Sequence, residues 1–166
     1  MHRILRRLAA TATLASIAWA APALAQAPHY RFTNVQLGPN ASMDVGDLAG
    51  QAHKIGMILP TSEATGQYWT ILPLGGGFVR LSNTFTGPNQ CLDVANDGAV
   101  YMDGCNRQLG QRWRIEGVVG GVRLTNAFAG GRCLDLFSGP NLTVPAMRPC
   151  AATPSQTWNV ALTGTQ

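Results

Sequence analysis

Apolar and polar residues alternate in short runs along this chain and never settle into a 3.6-residue period, so the pattern predicts strands and turns rather than helices. Three runs share one layout of apolar, Arg, apolar, Ser or Thr, Asn, at residues 30–34, 79–83 and 122–126. Nine or ten residues later an aspartate stands between apolar neighbours, in Met43-Asp44-Val45, Leu92-Asp93-Val94 and Leu134-Asp135-Leu136. A Gln-x-Trp follows, in Gln67-Tyr68-Trp69, Gln111-Arg112-Trp113 and Gln156-Thr157-Trp158, at intervals of 44 and 45 residues. After each Trp comes a polar and then a β-branched residue (Thr70-Ile71, Arg114-Ile115, Asn159-Val160), as in a strand. Anchors recurring in one order mark an internal repeat. The expectation is an all-β domain of three repeats, near 30–78, 79–121 and 122–162, with turns at Gly38-Pro39, Gly87-Pro88 and Gly139-Pro140. A propeller would suit the repeat length, but three repeats cannot close one.

The cysteines keep the same register. Cys91 and Cys133 each stand two residues before the aspartate, and Cys105 and Cys150 each stand six before the glutamine. Of the three possible connectivities, only Cys91–Cys105 with Cys133–Cys150 treats the two repeats alike. The first repeat has Ser42 and Thr61 at these positions, so both partners are missing together.

The start of the chain reads as an export signal. Arg3, Arg6 and Arg7 precede an Ala-rich apolar stretch that ends Ala23-Leu24-Ala25, so cleavage is expected after Ala25 and the mature domain spans 26–166. A secreted or periplasmic location follows, and with it an oxidising compartment for the disulfides. The stretch is mostly Ala and Thr and barely long enough to span a bilayer, so no stable membrane insertion is expected. Of 12 basic residues, these three leave with the signal, while none of the 8 acidic ones does, so the net charge falls from +4 to +1. A near-neutral domain whose only lysine is Lys54 lacks the clustered charge of a nucleic-acid binder, and Arg112 and Arg114 read as a solvated strand face. Residues 26–29 are expected to form a loose leader and 163–166 a frayed tail.

A Cys-Leu-Asp-Val or Cys-Leu-Asp-Leu, a second cysteine and a Gln-x-Trp, set in a threefold repeat, resemble the ricin B-type lectin family over about residues 30–162. The resemblance implies a β-trefoil of about four strands per repeat, in which the tryptophans meet in the core. It also implies sugar sites: Asp44, Asp93 and Asp135 accept sugar hydroxyls, and Gln67, Gln111 and Gln156 fix the carboxylates. In that family an aromatic ring two residues before the second cysteine stacks on the sugar. Here that position holds Leu59, Asp103 and Arg148, and the residue before the glutamine is Gly66, Gly110 or Ser155 rather than an amide. The Asp/Gln pairs therefore fit either sugar sites or hydrogen bonds that order a turn. The second repeat adds Asn96, Asp97 and Tyr101, with Tyr101 either in the pocket or facing the core. The third adds Phe137, Asn141 and Arg148.

Catalysis is not expected. After cleavage the chain has two histidines, His29 and His53 (the latter placed in a loop), and two glutamates, Glu63 and Glu116, too few for a nucleophilic triad or a histidine-rich metal site. No cofactor or metal is expected. The two function classes left open are a carbohydrate-binding module and a trefoil that docks a protein partner through its loops.

Overall fold

The computed structural model describes residues 27–48, 51–58, 61, 63–138 and 143–165. The expected signal at 1–25, Leu59, Gly139-Pro140 and Asn141 lie outside them.

Strand, hairpin, short turn and strand recur three times. The first set is β1 (Pro28–Asn34), β2 (Ser42–Leu48), β3 (Gln51–Ile58) and β4 (Trp69–Gly75). The second is β5 (Phe78–Asn83), β6 (Gly87–Val94), β7 (Val100–Gly104) and β8 (Trp113–Val118). The third is β9 (Gly121–Asn126), β10 (Cys133–Ser138), β11 (Thr143–Arg148) and β12 (Trp158–Thr165). Pairing runs β1–β4–β5–β8–β9–β12 and returns to β1, so these strands close a barrel without an open edge. The hairpins β2–β3, β6–β7 and β10–β11 attach to β1, β5 and β9. Closure corrects the expected loose ends: Pro28 and His29 pair with Thr165 and Gly164, because each end satisfies the other's backbone groups. His53 belongs to β3 rather than to a loop.

The period-2 pattern puts equivalent residues of all three repeats into one core. Phe32, Leu81 and Leu124 point inward, as do Met43, Leu92 and Leu134. Trp69, Trp113 and Trp158 are fully buried, and their indole N–H groups donate to the carbonyls of Met43 (3.0 Å), Leu92 (2.8 Å) and Leu134 (3.0 Å). Each ring buries roughly 200 Å², worth about 5 kcal/mol at 25 cal/mol per Å². The hydrogen bond adds only about 1 kcal/mol, and its main effect is to leave no orphaned N–H. One repeat cannot bury such a ring alone, and three stacked together can.

The arginines of the opening runs do one job three times. Arg31, Arg80 and Arg123 donate to the carbonyls of Thr61 (3.0 Å), Asn106 (2.6 Å) and Ala151 (3.1 Å), tying each first strand to the segment ahead of its Gln-x-Trp. Arg112 and Arg114 are not a free solvated face: their guanidinium carbons lie 4.6 and 4.1 Å from the centroid of the Phe78 ring. No helix among the described residues is long and apolar enough to cross a membrane.

Candidate functional site

Each motif glutamine ends a single 3-10 turn, Thr65–Gln67, Leu109–Gln111 or Pro154–Gln156. The turn aims its side chain under the neighbouring hairpin. Gln111 Nε2 donates to Asp93 Oδ2 (2.9 Å) and to the Gly104 carbonyl (2.9 Å), while its Oε1 accepts from Asn106 N–H (2.8 Å). Gln156 repeats this with Asp135 Oδ2 (2.8 Å), the Pro149 carbonyl (2.9 Å) and Ala151 N–H (2.7 Å). Both glutamines are buried and their amides are spent within the protein, so they position the carboxylates rather than meet a ligand. The other oxygens, Asp93 Oδ1 and Asp135 Oδ1, accept from Val94 and Leu136 N–H, each at 2.7 Å. Each carboxylate oxygen keeps a lone pair for an incoming hydroxyl.

The first repeat is built differently. Gln67 bonds to the Asp44 carboxylate, yet Asp44 Oδ2 is buried with no partner among the described residues, and burial raises the Asp44 pKa to about 6 against the lowering effect of that bond. Gln67 Oε1 accepts from Thr61 N–H (3.0 Å), the part played elsewhere by Asn106 and Ala151, the residues after the second cysteines. Thr61 therefore stands one place beyond the cysteine position that counting back from the glutamine assigns to it.

Gly66 and Gly110 have a steric reason. A Cβ on Gly66 would run into Asp44 Oδ1 and the Val45 carbonyl, and one on Gly110 would run into Asp93 Oδ1. The turn thus closes against the aspartate, leaving Asp44 and Asp93 only 4% and 3% exposed, whereas Asp135, beside Ser155, is half-buried.

In the second repeat Asp93 opens on a cavity of about 370 Å³ lined also by Asn96, Tyr101, Gln108, Leu109 and Phe128. Tyr101 pairs in register with Asp93, while its neighbours Val100 and Met102 are the buried ones, so Tyr101 faces the cavity and not the core. Burial, and then the negative charges of Asp93 and Asp103, raise its pKa, so the hydroxyl stays a donor. Asp97 turns away and accepts from Ala99 N–H (2.9 Å). Asp103, at the vacant stacking position, is exposed and accepts from Gly104 N–H (2.7 Å).

Phe128 comes from the next repeat, and spacing within one repeat could not reveal it. Asn126 Nδ2 donates to the Gly110 carbonyl (2.7 Å), and its Oδ1 accepts from Phe128 N–H (2.9 Å), so one amide hangs the ring beside its neighbour's site. Asn83 holds Phe85 against the first repeat's turn in the same way, and Asn34 holds Gln36 against the third's. The signal in the sequence is Asn-x-Phe, present as Asn83-Thr84-Phe85 and Asn126-Ala127-Phe128.

In the third repeat Phe137 is 48% exposed, two residues from Asp135 on β10. The Arg148 guanidinium lies 5.0 Å from the Phe137 ring centroid. Disulfides join Cys91 to Cys105 and Cys133 to Cys150, bracing the two hairpins that carry Asp93 and Asp135. Among the described residues no group of three or more His, Cys, Asp or Glu side chains could hold a metal ion.

Comparison with known proteins places the fold. A designed threefold-symmetric protein, ThreeFoil, superposes with a TM-score of 0.66 at 22% identity, covering 80% of this chain and 97% of that one. SeviL bound to asialo-GM1 saccharide gives 0.59 at 16% identity, covering 83% and 99%. The GlcNAcα1-4Gal-releasing endo-β-galactosidase from Clostridium perfringens gives 0.68 at 16% identity, and the match covers 82% of this chain but only 33% of that enzyme. At these identities the likeness is one of fold. No curated protein matches the chain by sequence. The family model of the ricin-type β-trefoil lectin domain matches residues 77–166, more than half of the sequence, and the chain belongs to that family.

Proposed function

We propose that this protein is an exported, non-catalytic carbohydrate-binding module, a β-trefoil of three four-strand repeats that holds glycan hydroxyls at Asp93 and Asp135. The observation that carries the reading is the second-repeat cavity, where a fixed carboxylate, the Tyr101 hydroxyl, the Asn96 and Gln108 amides and the Phe128 ring meet in about 370 Å³. A sugar offers hydroxyls to the first and a C–H face to the last. Phe128 thus supplies the ring that the usual stacking position lacks. The disulfides agree with an oxidising compartment beyond the cytoplasm. Little carboxylate is exposed at Asp93, so that site is weak, near millimolar or about −4 kcal/mol. Useful attachment comes from two sites on one repeating glycan.

A glycan array probed with wild type, Asp93→Ala and Phe128→Ala tests this. Both variants should lose at least tenfold in signal on every glycan the wild type holds. Unchanged signal for both would refute the second-repeat site. A second reading, docking of a protein partner, draws on the exposed Phe85, Phe137 and Leu162. An array without any glycan signal would favour it.

A further inference from the structure

A cavity recurs on the barrel wall at equivalent places in two repeats, with different chemistry. In the first repeat, about 460 Å³ is lined by Arg31, Thr33, Thr61, Tyr68 and Leu162, mostly neutral groups. In the second, about 280 Å³ is lined by Leu74 and three arginines, Arg80, Arg107 and Arg112. Guanidinium groups stay charged at every relevant pH. No carboxylate lies within ion-pairing distance of these three among the described residues. Asp103 and Glu116, the acids on β7 and β8 of the same repeat, are exposed.

The fold accounts for only one of the three. Arg80 makes the strand-to-segment bond that Arg31 and Arg123 also make, and like theirs its Nε is buried without a partner. Arg107 follows Asn106, where the third repeat has Ala152 after Ala151, and Arg112 follows the motif glutamine, where the third repeat has Thr157. The same architecture thus stands without either charge. The Arg112 guanidinium carbon lies 4.6 Å from the Phe78 ring centroid, a contact that holds the cation without occupying its N–H groups. Three cations gathered with no internal counter-charge repel one another, and an incoming anion relieves that cost.

We propose that this cavity binds the sulfate groups of an acidic glycan. The glycan assignment rests on the sugar-binding reading, since Arg107 adjoins Gln108 and Leu109, which line the sugar cavity. A net charge of +1 after removal of the signal gives no extended cationic stripe for a nucleic-acid backbone.

The test titrates the disulfide-intact protein with dextran sulfate, dextran and single-stranded DNA at roughly physiological salt. The wild type should bind dextran sulfate at least tenfold more tightly than either of the others. Arg107→Ala with Arg112→Thr, which copies the third repeat, should erase that advantage without moving the melting temperature. Should the pair unfold the protein, Arg107→Ala alone, at an exposed position, should still cost severalfold. Asp93→Ala should leave the sulfate-dependent increment in place. Equal binding of dextran sulfate by wild type and a folded arginine variant would overturn the proposal, as would equal affinity for DNA. Failure of the sugar reading looks different: neutral-glycan binding would survive loss of Asp93 and Asp135 while the arginine variants still lost the sulfate increment.

Discussion

Asp44, Asp93 and Asp135 occupy one position in three repeats, yet only the last two have both oxygens engaged by donors. Asp44 keeps an orphaned Oδ2, and its pKa of about 6 stands above the ordinary 3.8. Its carboxyl therefore holds a proton in the folded chain at a pH where the unfolded chain has lost it. Stability from this group is present below about pH 4, falls as pH rises through 6, and stays lower above that. Asp44→Asn removes the charge and keeps an acceptor for Gln67. The variant should melt about 3 °C higher at pH 8, with the gain gone near pH 4. A gain equal at both pH values, or a loss at pH 8, would contradict the assignment. The orphaned oxygen was not legible in the sequence, where only the missing bridge and Leu59 set the first repeat apart, because the difference lies in which donors surround the carboxylates. Gln111 and Gln156 were legible as partners of Asp93 and Asp135 through the family resemblance, which implies that bond. Phe128 was not, because an amide of one repeat delivers it to the site of another.

At the level of elements, the two hairpins that carry Asp93 and Asp135 are bridged and the one that carries Asp44 is not. Ser42 stands in for a half-cystine there, its hydroxyl donating to the Phe32 carbonyl (3.3 Å), and β2 and β3 are seven and eight residues long. The bridges close segments with sequence separations of 14 and 17, for which the chain-entropy account gives about 3 kcal/mol each. Replacing Cys91 and Cys105 together by Ser should lower unfolding free energy by about that amount in urea titrations. The fold should persist, as the unbridged first hairpin shows it can. Stability equal to wild type would mean that the bridge constrains nothing the hairpin does not already fix. The strand pattern was readable from its period of 2, and the cysteine register from the constant offsets of the cysteines from the repeated Asp and Gln-x-Trp anchors. The ends were misread, since polar, Pro-containing termini look loose until β1 and β12 are seen to close the barrel.

For the molecule as a whole, threefold repetition builds the core from equivalent residues and then lets the surface diverge. Equivalent places hold a lined cavity beside Asp93 in one repeat, an Arg148-capped Phe137 in another and an orphaned carboxylate in the third. On the proposed reading, sites at Asp93 and Asp135 on one barrel would suit a repeating polymer better than a single sugar. The most direct measurement is a titration of wild type, Asp93→Ala, Asp135→Ala and the double variant against a broad panel of neutral polysaccharides. Each single change should weaken binding, and the double change should nearly abolish it while the fold persists, at a lower melting temperature because Gln111 and Gln156 each lose an acceptor. A double variant that binds as well as wild type, or a wild type that binds no polysaccharide, would make the Asp/Gln pairs scaffold and contradict the carbohydrate-binding account.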